Sequence, residues 1–298
     1  MTKHSILILL WLALCAFELQ GHRGARGERP ENSMTGFRHA AITCVDTLEM
    51  DLGITADGVV VVSHDRRLDP AITRDPEGRW LLGETPPIHD LTWRQLETYD
   101  VGRIDPSSDY AERFPEQIPH ELERIPRLEQ VIHESGDLGL NLEIKTSPEH
   151  PGDTLDPRTF ARIVAALLQE TGAAERATIQ SFHWDALQEV QEIAPEIPTV
   201  YLTAQRDWLD NVSPPSAWSA GFDLSQHGGS VPRMVKAAGG AVWSPYHKDL
   251  TQETLQEAQA LGLRVIPWTV NEVADRDRLV AWGVDGLITD FPSRFCDP

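Results

Sequence analysis

Cysteine is scarce in this chain, with three in 298 residues, at positions 15, 44 and 296. So few thiols exclude a disulfide-dense scaffold, although Cys44 and Cys296 are free to bridge in an oxidising compartment. Basic charge is short as well: 26 Lys and Arg stand against 46 Asp and Glu, a formal charge of −20 at pH 7. A chain this acidic repels a phosphate backbone or an anionic lipid surface, which argues against nucleic acid as a partner. No fixed-length repeat runs through the sequence, so solenoid and propeller architectures drop out. Long apolar runs are missing except at the start, where Ile6–Leu14 follows Lys3 and gives way to small residues. That run is too short to span a bilayer comfortably and reads as a signal peptide over residues 1–16, cleaved near Cys15 or Ala16. The mature protein is then expected to lack a membrane span and to be periplasmic or secreted. Lipid anchoring at Cys15 is disfavoured by the bulky Leu14, and a buried N-terminal strand is the competing reading of the run.

What the chain does have is a loop dense in ionisable groups. Gly21–Ser33 reads GHRGARGERPENS and places His22, Arg23, Arg26, Glu28 and Asn32 among three glycines and Pro30. Glycine lets a backbone approach a ligand closely, and proline stiffens the exit. The preceding residues Phe17–Gln20 read as a strand, and Ser33 as the N-cap of a helix running to Ala41.

Side chains alternate across a strand, so in Val45–Thr55 Glu49 and Asp51 share one face while Leu48, Met50 and Leu52 share the other. Two carboxylates that close repel unless a cation or a shared proton neutralises them. Asp57-Gly58 then signals a hairpin, returning Val59–Ser63 and the pair His64-Asp65 beside that strand. The same alternation in Leu138–Lys145 sets Glu143 and Lys145 on the face opposite Leu140, Leu142 and Ile144. Between these segments, residues 66–126 are proline-rich with short helical patterns, an insertion too poor in periodic apolar residues for an independent core.

Strands begin near 17, 45, 138, 177, 198, 241, 263 and 286 and alternate with helical segments. Eight strand–helix units in one domain over 17–298 predict an α/β (β/α)8 TIM barrel, with the insertion following the second barrel strand and its hairpin. A doubly wound sheet is the alternative, but it leaves unexplained why polar groups recur at strand C-termini. A barrel gathers such groups at one mouth: His22, Glu49, Asp51, Glu143, Lys145, Phe182, Trp268 and Asp290.

These residues carry a family resemblance. HRG at 22–24, PENS at 30–33, EMD at 49–51, HD at 64–65, LEIK at 142–145, SF at 181–182, WTVN at 268–271 and TDFP at 289–292 occur in order on the right elements. Together they resemble the glycerophosphodiester phosphodiesterases of the phosphatidylinositol-phospholipase-C-like barrel superfamily. Glu28-Arg29 depart from that pattern, as does Ser33, where Thr is common.

The resemblance implies metal-dependent hydrolysis of small glycerophosphodiesters, such as glycerophosphocholine or glycerophosphoethanolamine, to sn-glycerol 3-phosphate and an alcohol. It implies a divalent cation, Ca²⁺ first and Mg²⁺ second, on Glu49, Asp51 and Glu143, with His22 and His64 as acid and base. The glycerol 2-hydroxyl would attack, through a cyclic phosphate. An all-oxygen donor set suits such a hard cation. Arg23 and Lys145 are placed to meet phosphate, Phe182 and Trp268 to wall the glycerol or headgroup, and Glu31 and Asn32 to support the loop. The remaining histidines are taken as structural, His247 with least security because it follows a strand. Two readings compete: a phospholipase-D-like enzyme acting on sphingomyelin or lysophospholipids, and a catalytically inactive secreted binding protein.

Overall fold

Strands rich in Val, Ile and Leu on one face and polar on the other need a partner layer outside and a filled interior, and the computed structural model, which describes residues 17–296, supplies both. The expected signal peptide falls in 1–16, outside the described residues. Eleven strands form: β1 (Glu18–Gly21), β2 (Thr47–Ile54), β3 (Val60–Val62), β4 (Gly139–Ile144), β5 (Ala177–Ser181), β6 (Thr199–Thr203), β7 (Gln205–Arg206), β8 (Leu209–Asp210), β9 (Val242–Pro245), β10 (Arg264–Val265) and β11 (Gly286–Thr289). Eight of them pair in parallel in the order β10-β9-β6-β5-β4-β2-β1-β11. The two ends meet through Asp285 N donating to Val265 O and Ile288 N donating to Pro267 O, both at 3.0 Å. The result is the expected eight-stranded barrel, nearly closed. β3 runs antiparallel to β2 as the predicted hairpin, and β7 and β8 form a small hairpin beyond β6.

The outer layer comprises α1 (Met34–Ala41), α4 (Leu128–Glu134), α5 (Pro157–Glu170), α6 (Trp184–Ile193), α7 (Val231–Ala237), α8 (Gln252–Ala260) and α9 (Val273–Trp282); α2 (Trp93–Leu96) and α3 (Asp109–Arg113) belong to the 66–126 segment. Starts are capped as the sequence indicates: Ser33 Oγ accepts from Gly36 N at 3.0 Å, and Asp156 accepts from Thr159 N at 3.0 Å. The main core lies between barrel and helices, where Leu48, Met50, Leu140 and Leu142 pack with Phe160, Val164, Trp184 and Leu187, all essentially inaccessible to solvent. Among the described residues no helix is long and apolar enough to cross a membrane.

Three details differ from the sequence reading or add to it. Leu68, Ile88, Leu96, Val101 and Ile125 of the 66–126 segment pack on Val61 of β3 in a small apolar cluster, which is not a core of the segment's own. The cluster leaves no helical or strand period in the sequence and takes β3 for its floor. The strand expected at 263–270 is regular only at Arg264–Val265, because Pro267 interrupts it by lacking an N–H; Trp268 N still reaches Pro245 O at 3.1 Å. Cys44 and Cys296 form a disulfide with Cα atoms 5.5 Å apart, tying the end of the described chain to the turn between α1 and β2.

The barrel interior is uneven. Asn141 donates to both Gln20 and Gln180 (2.8 and 2.9 Å), whereas Val200, Val242, Ile266 and Ile288 fill the other side.

Candidate active site

The cleft at the C-terminal mouth of the barrel measures about 1190 Å³. Its first wall is the loop after β1. That loop turns sharply: a Cβ on Gly21 would sit 2.2 Å from Gly24 O, and Gly24 takes φ +82°. Arg23 and Asn32 also take left-handed backbone, φ 50° and 49°, a conformation that costs a non-glycine residue energy and recurs at functional sites. The bend aims Arg23 N at Glu49 Oε2 (2.8 Å) and Arg23 Nη1 at Glu31 Oε1 (2.9 Å). The Asn32 amide grips Asp51 twice, donating to its Oδ2 at 2.8 Å and accepting from its backbone N at 3.3 Å. Glu31 and Asn32 are thus positioning residues, one for Arg23 and one for Asp51.

Glu49, Asp51 and Glu143 offer carboxylate oxygens that all lie within 4.8 Å of one another, and all three residues are buried. Burial together with Asp51 and Glu143 holds the Glu49 carboxyl well above the carboxylate range. Glu143 is pushed up to about 7 by burial and by Asp51, even though Lys145 Nζ lies 2.8 Å from its Oε1. Asp51 goes the other way: burial works against its charge, but His64, Arg23 and Lys145 outweigh that and keep it ionised. Its Oδ1 is buried without a hydrogen-bond donor. Three converging carboxylates, two of them destabilised as anions and one with an unsatisfied oxygen, fit a hard divalent cation.

Two histidine–aspartate pairs flank these acids. His22 Nδ1 lies 2.6 Å from Asp290 Oδ1, which leaves Nε2 turned towards Glu49 Oε2 at 3.9 Å. His64 Nδ1 lies 2.7 Å from Asp65 Oδ1. Burial, reinforced by Arg26, pulls His22 down to about 4 against the attraction of Asp290. His64 is lowered as well, by burial and by Arg23 and Lys145. Each ring thus loses its proton more readily than a free imidazole, and each has its tautomer held by a carboxylate at Nδ1.

The structure gathers His22, Arg23, Glu49, His64, Glu143, Lys145, Phe182 and Trp268 around this cleft, with Asp51 directly behind. His247 is buried beside Tyr246 and Asp275 and does not line it. Five residues to which the sequence assigns no role enter the constellation, Asp290 among them although it is expected at the mouth. Gln180 donates to Glu49 Oε1 at 2.7 Å. Arg26 pairs with Asp290 at 2.6 Å and lies 5.0 Å over the Phe114 ring. Tyr110, from α3, gives its hydroxyl to Glu31. Asp65 and Asp290 are the histidine partners. Asp65 and Asp290 stood within recognised motifs and Arg26 within the charged loop, whereas nothing local marked Gln180 or Tyr110.

The family model described as the glycerophosphoryl diester phosphodiesterase family matches residues 22–294. The chain belongs to that family. A glycerophosphodiester phosphodiesterase from Bacillus subtilis (strain 168) is 28% identical over 278 residues, covering 92% of this chain and 83% of its own. A solved structure of a candidate glycerophosphoryl diester phosphodiesterase from Silicibacter pomeroyi superposes with TM-score 0.83 at 35% identity, covering 94% of this chain and 91% of that one. An Oleispira antarctica phosphodiesterase, solved with the product sn-glycerol-3-phosphate, shares the fold at TM-score 0.67 and 21% identity, covering 93% and 94%. The protein is accordingly a phosphoric diester hydrolase of this family, and its cleft holds two imidazoles, each paired with a carboxylate.

Proposed function

We propose that the protein hydrolyses small glycerophosphodiesters, such as glycerophosphocholine and glycerophosphoethanolamine, to sn-glycerol 3-phosphate and the free alcohol. The observation that carries this reading is the pair of carboxylate-oriented histidines set against three buried acids and the cations of Arg23 and Lys145. The product bound by the Oleispira antarctica relative supports the choice of product.

Glu49, Asp51 and Glu143 would hold the divalent cation, Ca²⁺ in preference to Mg²⁺ because a site of several carboxylates with adaptable spacing favours the larger ion. When bound, it would neutralise charge on a phosphoryl oxygen and acidify a nearby hydroxyl. The chain's own groups do the rest. Arg23 meets the phosphate with charge-assisted hydrogen bonds, its guanidinium steadied by Glu31, and Lys145 adds a second positive charge. One imidazole takes the proton of the attacking hydroxyl through Nε2 while the other returns a proton to the leaving alcohol oxygen. Each such transfer contributes about 10²–10⁴-fold. Attack by the substrate's glycerol 2-hydroxyl would expel the alcohol and leave a cyclic phosphate, which water then opens to sn-glycerol 3-phosphate; a cleft with two imidazoles in reach fits both steps.

Residues 1–16 have the form of a signal peptide, and the Cys44–Cys296 bridge favours an oxidising compartment, so we place the enzyme in the periplasm or outside the cell. Purified enzyme with Ca²⁺ or Mg²⁺, offered glycerophosphocholine beside lysophosphatidylcholine and sphingomyelin, tests the reading. Release of sn-glycerol 3-phosphate from the first, abolished by EDTA and by His22→Ala or His64→Ala in folded protein, is the expected result. Turnover of the lipids alone would move the enzyme to the phospholipase-D class, and no turnover of any diester would leave a binding protein.

A further inference from the structure

The mouth of the barrel is divided in the order of its strands. β11, β1, β2 and β4 deliver the charged groups, whereas β5, β6, β9 and β10 lead into Phe182, Trp208, Tyr246 and Trp268. Trp268 is the hub of the aromatic half. Its ring lies 5.3 Å from Phe182, 6.0 Å from Trp208 and 5.5 Å from Tyr246, at interplanar angles of 82°, 76° and 55°. Trp208 and Tyr246 stand 5.5 Å apart at 89°. Rings set nearly perpendicular make a corner rather than a flat stack, and their half-buried or exposed state leaves faces open to the cleft. Beneath them the interior is Val200, Val242, Ile266 and Ile288. The one polar atom of the Trp268 side chain, Nε1, is committed to Ser244 O at 2.9 Å, so the ring offers only its carbon surface. Cations of the chain already use this surface: Arg206, paired with Asp249, lies 5.2 Å over Tyr246, and Lys145 lies 5.9 Å from the Phe182 centroid.

We propose that this corner is the subsite for the leaving alcohol and that it selects a quaternary ammonium headgroup, choline above ethanolamine or glycerol. The inference rests on the glycerophosphodiester reading given above and names its substrate preference. A glycerol moiety has two hydroxyls that need partners, and those partners stand in the charged half. A trimethylammonium group has no N–H to satisfy and is attracted to aromatic faces. A primary ammonium placed in the same corner would give up water for carbon faces, with the Tyr246 hydroxyl the sole acceptor among the four side chains, a desolvation cost with little return. The division of the mouth therefore orients the substrate as well: glycerol and phosphate over the charged strands, headgroup over the aromatic ones.

The test compares kcat/KM for glycerophosphocholine, glycerophosphoethanolamine and the ester of 3,3-dimethylbutanol, which keeps the shape of choline but replaces the charged nitrogen with carbon. The choline ester is expected to be cleaved about tenfold better than its uncharged isostere, the range that a desolvated cation–π contact supplies. Trp208→Ala should shrink that ratio several-fold, and Trp208→Phe should keep most of it. Equal rates for the choline ester and its isostere, or a preference for the ethanolamine ester, would overturn the assignment. So would strong preference for lysophosphatidylcholine with indifference to headgroup charge, which would put an acyl chain in the corner. A titration of the wild-type protein followed by tryptophan fluorescence covers failure of the variants to fold. Choline should quench at concentrations about tenfold below 3,3-dimethylbutanol, and equal quenching would overturn the proposal. If choline binds in this way but no diester is cleaved, the hydrolytic reading fails and the subsite stands.

Discussion

Asp290 holds His22 by Nδ1 at 2.6 Å across 268 residues of sequence, and it grips Arg26 with the same oxygen at 2.6 Å. Burial opposes its charge, yet Arg26 and His22 keep the carboxyl far below the usual range. Asp290 therefore stays an anion and favours the His22 tautomer with its proton on Nδ1, which leaves Nε2 turned towards Glu49 and available for the proposed proton transfer. Asp290→Asn should lower kcat by about 10²–10⁴, the range of a lost general-base contribution. Circular dichroism checks that the fold survives, and an unchanged kcat would remove Asp290 from the reaction.

The same pair carries a pH signature. The folded-state pKa of His22 is about 4, below its ordinary value, so between about pH 6.5 and 4 the unfolded chain binds a proton that the native site refuses. Acidification through that window costs stability at this residue. Asp290, depressed below 3.8, extends the loss to lower pH. His22→Gln should therefore show a shallower fall of Tm between pH 6.5 and 4 than the wild type, with both measured in EDTA. Parallel Tm curves would contradict the burial argument.

Tyr110 reaches from the insertion to Glu31, which in turn steadies Arg23. Removing its hydroxyl deletes one buried hydrogen bond, about 1 kcal/mol. If Arg23 binds phosphate as proposed, Tyr110→Phe is expected to reduce kcat/KM about fivefold, chiefly through KM, because that contact would already be made in the ground state. A purely structural role would lower Tm and leave KM unmoved.

The disulfide is expected to matter for endurance more than for chemistry. Cys44→Ser or Cys296→Ser should cost about 2–5 kcal/mol in denaturant unfolding. Activity well below Tm should be retained, because neither sulfur lines the cleft. Rapid loss of activity at low temperature would place the bridge closer to the site than its position indicates.

The barrel was legible because its signals are local. Eight strand starts followed from period and turn residues, and the parity of Glu49 with Asp51 and of Glu143 with Lys145 placed four charges on the barrel's inner face. His22 and Arg23 stood out within a glycine-rich loop. Other features depend on distance. Nothing near Asp290 says that it meets His22, and nothing near Gln180 says that its amide meets Glu49. Tyr110 lies in an aperiodic segment whose docking depends on a borrowed hydrophobic floor. Two cysteines 252 residues apart become a bridge only once the barrel brings the ends together.

β1 is hydrogen-bonded on one side to β2 and on the other to β11, with Glu18 opposite Gly286 and Gly21 opposite Thr289. A chain made from its N-terminus thus carries its first strand with one edge unpaired until residues 286–289 have been synthesised. Over that interval His22 has no Asp290 beside it, Arg26 has no counter-ion there, and Cys44 has no partner sulfur. The 286–296 segment is therefore what completes these contacts. A polypeptide ending before β11 would lack the Asp290 contacts and leave an open strand edge while still presenting most of its barrel.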